Sequence, residues 1–141
     1  LRLSSEPDAP EEVSRQISNG LEAFNVTQVG DVPYHPVQIV LRDASEQVQG
    51  GLLGGCWGDW LHIAILWIAE PFRGQNWGTR LLAHAEAEAA AHGCRNAYVT
   101  TLSFQARPLY ERHGYALWAA MHDFPVPGQA RYHLKKTLPT A

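Results

Sequence analysis

Apolar positions recur along this chain in two rhythms. Between Glu11 and Asn25 the residues Val13, Ile17, Leu21 and Phe24 fall three or four apart, with Glu11 and Glu12 ahead of them. That spacing predicts an amphipathic helix with acidic residues in its first turn. Before it, residues 1–10 hold Pro7 and Pro10 and read as a short edge strand followed by a loop. After it, Gly30, Pro33 and Pro36 make residues 25–36 a loop. The rhythm then changes to runs of strand length. Val37–Arg42 and Gly50–Trp57 form a hairpin across the polar stretch Asp43–Gln49, and Gly58-Asp59 turns into Trp60–Ile68, the most apolar strand.

The second half alternates the two rhythms. Thr79–His92 is a helix in which Leu82, Ala85 and Ala89 share a face, Glu86 and Glu88 reach solvent, and Gly93 caps the end. Asn96–Thr101 is the next strand. A helix between two strands makes a β-α-β crossover, so this strand runs parallel to Trp60–Ile68. Gln105–His113 is a brief helix with Pro108 in its first turn, ended by Gly114. Strands at Tyr115–Met121 and Arg131–Lys136 flank a loop containing Pro125, Pro127 and Gly128. There is no internal repeat and no sign of a second domain.

Composition narrows the class. The 141 residues suit one domain with a real core. A hydrophobic share of 45% argues against disorder. Eleven basic against fourteen acidic residues, with no basic run, exclude the concentrated positive footprint of a nucleic-acid binder. No apolar run approaches the ~20 residues that span a bilayer, and no secretory leader pattern opens the chain. Cys56 and Cys94 suit a reducing compartment as buried free thiols, so a cytoplasmic protein is expected.

The joint between the most apolar strand and the following helix carries the first candidate chemistry. It reads Ile68-Ala69-Glu70-Pro71-Phe72-Arg73-Gly74-Gln75-Asn76-Trp77-Gly78-Thr79-Arg80. Such a turn leaves backbone N–H groups unpaired at the positive end of a helix dipole, a ready anion site. Gly74 and Gly78 carry no Cβ, so a phosphate could come close to the backbone. Taken alone, the turn could equally be a tight connection. About thirty residues on comes Ser103-Phe104-Gln105-Ala106-Arg107-Pro108-Leu109-Tyr110-Glu111-Arg112-His113-Gly114-Tyr115.

Together these two stretches resemble the two signatures of the GCN5-related N-acetyltransferase (GNAT) superfamily. The first is similar to its acetyl-CoA motif, with Arg73, Asn76 and Gly78 at the marked positions and Asn76 in place of a glycine. The second is similar to N-x-x-A-x-x-x-Y-E-x-x-G-F/Y, with Ser103 where many members have Asn. The resemblance implies a single α/β (α+β) domain over residues 1–141. Its central sheet would be mixed and V-splayed, with six or seven strands flanked by three or four helices. It also implies acetyl-CoA as co-substrate, bound by the backbone near Ile68, by Arg73, Gly74, Gln75, Asn76, Trp77, Gly78 and Thr79, and by Ser103. A backbone N–H near Ile68 would polarise the thioester carbonyl. Acetyl would pass to a primary amine by direct attack in a ternary complex, without an acyl-enzyme.

The catalytic candidates differ in weight. The resemblance implies that Tyr110 protonates the departing thiolate; read from spacing alone, it is an amphipathic core tyrosine. Glu70, at the strand end, is a candidate base or an ordinary solvated carboxylate. His62 shares strand parity with Ala64, Leu66 and Ile68, which fits a core-facing imidazole. His133 could face the acceptor cleft, and water chains could replace a dedicated base. No H-x-x-x-H or C-x-x-C pair points to a metal, and no G-x-S-x-G elbow points to a nucleophile. Gly50, Gly51, Gly54 and Gly55 lie inside the hairpin, which argues against a dinucleotide loop. Trp57, Trp60 and Trp67 read first as core and sheet packing, and second as walls of an acceptor pocket.

The expected partner is a small-molecule or peptide amine, with no nucleic acid and no membrane, and a homodimer stays open. A CoA-binding sensor or partner protein without turnover is the alternative on the same fold. A nucleotide-binding module using the anion turn is a third reading.

Overall fold

A computed structural model of the chain describes residues 1–139. The chain forms two compact units, Leu1–Val32 and Pro33 onward. The first is built around α1 (Glu11–Val29). Arg15 pairs with Glu12 at 2.9 Å and with Glu11 at 3.4 Å along its flank. The helix runs four residues beyond the expected end at Asn25. Nothing in Val26-Thr27-Gln28-Val29 breaks it, and Gly30, at φ 78°, is the first residue that can close it. Residues 1–10 form no strand; Pro7 and Pro10 each lack the N–H that a ladder needs.

The second unit is one six-stranded mixed sheet in the order β1-β2-β3-β4-β6-β5. Its strands are β1 (Tyr34–Arg42), β2 (Val48–Trp57), β3 (Trp60–Ile68), β4 (Asn96–Leu102), β5 (Ala116–His122) and β6 (Ala130–Thr137). Two helices belong to it, α2 (Trp77–Ala91) and α3 (Arg107–Arg112). β1, β2 and β3 form an antiparallel meander. β3 and β4 are parallel, as the crossover through α2 demands, and β6 pairs antiparallel with both β4 and β5. β1 begins three residues earlier than expected and carries Pro36, tolerated because β1 is an edge strand.

The core lies between one face of the sheet and α2. Val37, Leu52, Leu61, Ile63, Val99 and Leu134 meet Leu81, Leu82, Ala85 and Ala89. Cys56 and Cys94 are buried there as free thiols, and burial, with the neighbouring Cys94, pushes the Cys56 thiol up to about 12. Glu86 does not reach solvent as expected. It is largely buried, pairs with Lys136 Nζ and accepts a bond from the Tyr115 hydroxyl at 3.4 Å. Glu88 likewise meets His35 at 3.0 Å.

One irregularity in β3 positions everything that follows. Leu53 pairs with Ile65 but Gly54 pairs with Ile63, so Ala64 is an extra residue, a β-bulge. Gly54 is required opposite it, because a Cβ there would overlap the His62 carbonyl oxygen. The bulge flips the strand's parity. Leu61 and Ile63 face the core before it, Leu66 and Ile68 after it. His62 therefore points to the other face, not into the core as its spacing from Leu66 and Ile68 suggested. There it stacks on Tyr98, centroids 4.5 Å apart, and burial lowers its pKa. Trp57, Trp60 and Trp67, read first as core and sheet packing, are exposed rather than packed in the core, as is Trp118.

Candidate active site

Parallel pairing of β3 with β4 stops at Ile63↔Val99, next to the bulge. Beyond it the strands part, and a cavity of about 660 Å³ fills the splay. Ala64–Ile68 form one wall, Val99–Thr101 the other, and the starts of α2 and α3 close the end. The amide of Ala69 is bonded to Gln49 on β2 at 2.7 Å. Amides alternate sides along a strand, so that of Ile68 is directed away from β2, toward the splay. The Ile68 carbonyl, on that same side, accepts a bond from Arg73 Nε at 2.8 Å.

The turn between β3 and α2 begins with a short 3₁₀ turn, Glu70–Phe72. Gly74 (φ 75°) and Asn76 (φ 66°) both adopt the left-handed region. Asn is among the few residues that do so cheaply, which is why it can stand in a glycine's place. The Arg73 amide bonds to Glu70, and the Arg80 amide to Asn76. Between them, among the described residues, no amide from Gly74 to Thr79 has a backbone acceptor, and no side chain caps α2. This run of donors, at the positive end of a 15-residue helix, faces the cavity that Arg73 and Arg112 also line. The two glycines differ. A Cβ on Gly74 would meet open space, whereas one on Gly78 would lie 3.1 Å from Leu109 Cδ2. Gly78 thus lets the helix start pack closely, while Gly74 serves the backbone turn.

Tyr110, on α3, reaches the cavity from below. Its ring is buried edge-on against Tyr115, centroids 5.7 Å apart. Burial pushes its phenol up to about 12, so the proton is retained at any neutral pH. Its hydroxyl has no hydrogen-bond partner among the described residues.

The cavity gathers Ile68, Arg73, Gly74, Asn76, Trp77, Gly78, Thr79 and Tyr110, but not Gln75, Ser103 or Glu70. Gln75 turns back to the Pro71 carbonyl at 3.3 Å. Ser103 is engaged elsewhere: its hydroxyl donates to Gln129 at 2.6 Å and accepts from the Ala130 amide at 2.9 Å. It fastens the end of β4 to the start of β6. Glu70 is exposed, just outside the cavity's lining. His133 lies on the sheet, bonded to Thr100 Oγ1 at 3.2 Å and tilted against Trp118.

Sequence reasoning missed Phe104, Gln105 and Arg112, which line the cavity. Gln105 carried a readable signal, a polar side chain just after a strand. Its Oε1 accepts from the Leu102 amide at 2.9 Å and shapes the turn into α3. Among the described residues no cluster of His, Cys, Asp or Glu is placed to hold a metal, and no helix is long and apolar enough to cross a membrane.

Known proteins place this geometry. Residues 35–117 match the acetyltransferase (GNAT) domain, and the chain belongs to that family. It is an N-acetyltransferase. It is 36% identical to the acetyltransferase Atu2258 of Agrobacterium fabrum over 113 residues, 80% of this chain and 81% of that one. It is 42% identical to the blasticidin-S acetyltransferase of Streptomyces morookaense over 93 residues, 65% of this chain and 68% of that one. An acetyltransferase structure from Bacillus cereus superimposes with a TM-score of 0.87 at 27% identity, covering 98% of both chains.

Proposed function

We propose that this acetyltransferase takes acetyl from acetyl-CoA and passes it directly to the primary amine of a small molecule. The observation that carries the reading is the run of amides from Gly74 to Thr79, without backbone acceptors among the described residues, beside a cavity that Tyr110 also lines. Acetyl-CoA would supply an activated thioester and a thiol leaving group. The amides of residues 74–79, with Arg73, hold the pyrophosphate. The splay between β3 and β4 takes the pantetheine arm in place of a neighbouring strand, and the Ile68 N–H donates to the thioester carbonyl. Tyr110 donates to the sulfur as negative charge develops there. Ser103, occupied as it is by Gln129 and Ala130, supports the pantetheine side only by fixing the end of β4. Glu70, exposed just after Ile68, receives the amine's proton through water.

The name of the Streptomyces relative puts blasticidin S first among acceptors to try. The test begins with thermal unfolding. Acetyl-CoA should stabilise the protein by about 2.7 kcal/mol at a hundredfold excess over Kd, and ATP should not. Thiol release is then followed with a panel of amines that includes blasticidin S. Equal stabilisation by ATP would mean a general nucleotide site. Binding without thiol release from any amine in the panel would remove the assignment of a small-molecule acceptor.

A further inference from the structure

Thr79 stands in the first turn of α2 on the cavity wall, and its hydroxyl is held from behind. His113, the residue that ends α3, brings Nε2 to 3.1 Å from Thr79 Oγ1. His113 is half-buried and does not itself line the cavity. Resting on the acetyl-CoA reading above, we propose that His113 is a positioning residue for the pyrophosphate. It holds the Thr79 hydroxyl as a donor aimed at the anion.

The argument is one of proton supply. A hydroxyl has one proton and two lone pairs. If the Thr79 hydroxyl donates to a bare Nε2, its proton is spent and only lone pairs face the cavity. If Nε2–H donates to Oγ1, the proton is free to complete the row of amides from Gly74 to Thr79. A first-turn threonine can also turn its hydroxyl back to a carbonyl one turn earlier. Among the described residues Thr79 does not; His113 is the partner its hydroxyl has. A bound anion therefore selects the Nε2-protonated ring, and the ring in turn fixes the hydroxyl's direction. The arrangement also links the end of α3, three residues past Tyr110, to the turn that would hold the pyrophosphate.

The test uses two donors, acetyl-CoA and S-acetylpantetheine, which lacks the pyrophosphate. His113→Phe keeps a flat ring and removes the donor. It should raise KM for acetyl-CoA about tenfold, the worth of one hydrogen bond to a charged group, with kcat little changed. His113→Gln restores an N–H donor and should recover most of that loss. Thr79→Val, which removes only the hydroxyl, should reproduce the loss without touching the ring. Adding His113→Phe to it should cost nothing further. With S-acetylpantetheine every variant should match the wild type. An unchanged KM in His113→Phe, additive losses in the double variant, or equal losses with both donors would overturn the proposal and leave His113 a packing clasp. A wild type that uses the two donors alike would remove the pyrophosphate reading itself, and the proposal with it.

Discussion

From Trp60 to Ile63, β3 lies at ladder distance from β4, and every second side chain is in the core: Leu61 against Ala97, Ile63 against Val99. From Ala64 to Ile68 the same strand has no partner on that side among the described residues, and it lines a cavity. Four registers of ordinary sheet are followed at once by a site. What separates the halves is one extra residue. The bulge at Ala64 moves the core-facing set from odd to even positions and bends β3 away from its neighbour. The paired half spends its backbone donors on the ladder. The open half keeps the Ile68 donor free, and so can use backbone chemistry that the paired half cannot. Substitutions should therefore divide sharply: stability follows the closed half and turnover the open half.

The strongest way to break that division is at Tyr110. Tyr110→Phe keeps the ring against Tyr115 and removes only the proton donor, so the melting temperature should hold. Turnover should fall ~10²–10⁴-fold, the range of a positioned acid. We expect the lower end of it. A phenol raised to about 12 is a weaker acid than an alkyl thiol, so it does not pass its proton downhill to the thiolate and acts chiefly as a hydrogen-bond donor. The loss should shrink with a more acidic leaving thiol. Near-normal turnover with chemistry shown to be rate-limiting would make Tyr110 a packing residue.

At Leu61 the expectation is reversed. This side chain is fully buried between the sheet and α2, and Leu61→Ala should cost about 2–5 kcal/mol of stability. Below its lowered melting point the variant should turn over at close to the normal rate, since the open half lies beyond the bulge. A kcat loss as large as that of Tyr110→Phe would show that the two halves do not act separately.

The same division explains what could be read in the sequence. Trp60–Ile68 has the bounds that its apolar run predicts, because hydrophobicity marks a strand buried on one face. The donor-rich turn was legible because glycine and asparagine at Gly74 and Asn76 signal left-handed backbone. The bulge was not legible: Ala64 is an ordinary apolar residue, and the glycine that makes room for the bulge, Gly54, lies on the neighbouring strand. For that reason the parity of His62 was misread. Ser103 and Glu86 misled for a related reason. Each bonds to a partner distant in sequence, Gln129 and Lys136, and no local pattern announces it. Trp57, Trp60 and Trp67 mislead because aromatic content suggests burial without telling which face of a sheet is covered.

Glu70 offers a smaller effect that sharpens the limit of the open half. An exposed carboxylate competes with bulk water for the amine's proton, so Glu70→Gln should lower kcat/KM less than tenfold. Two acceptors of different pKa make the test clean, because each neutral amine brings its own ascending limb to the pH–rate profile. A fall of the same size with both acceptors supports Glu70 as the proton's exit. A limb that follows the acceptor and ignores Glu70→Gln would mean that the amine arrives already neutral.

The smallest effect belongs to His62, back in the closed half. Burial beside Tyr98 lowers its folded pKa below the ordinary value, so the native state favours the neutral ring. The unfolded chain takes up that proton more readily. The stabilisation is therefore present above about pH 6.5 and is lost as the pH falls below it. His62→Phe preserves a ring to stack on Tyr98 and removes the titration. Its unfolding free energy should decline less between pH 7 and pH 5 than that of the wild type. The difference in slope is bounded by one proton, about 1.4 kcal/mol per pH unit. Activity at pH 7 should not change, because His62 lies before the bulge. Parallel declines in the two proteins would mean that the ring stays solvated and that acid sensitivity arises elsewhere. A loss of turnover at neutral pH would move the boundary between the halves back into the paired registers, to His62↔Tyr98.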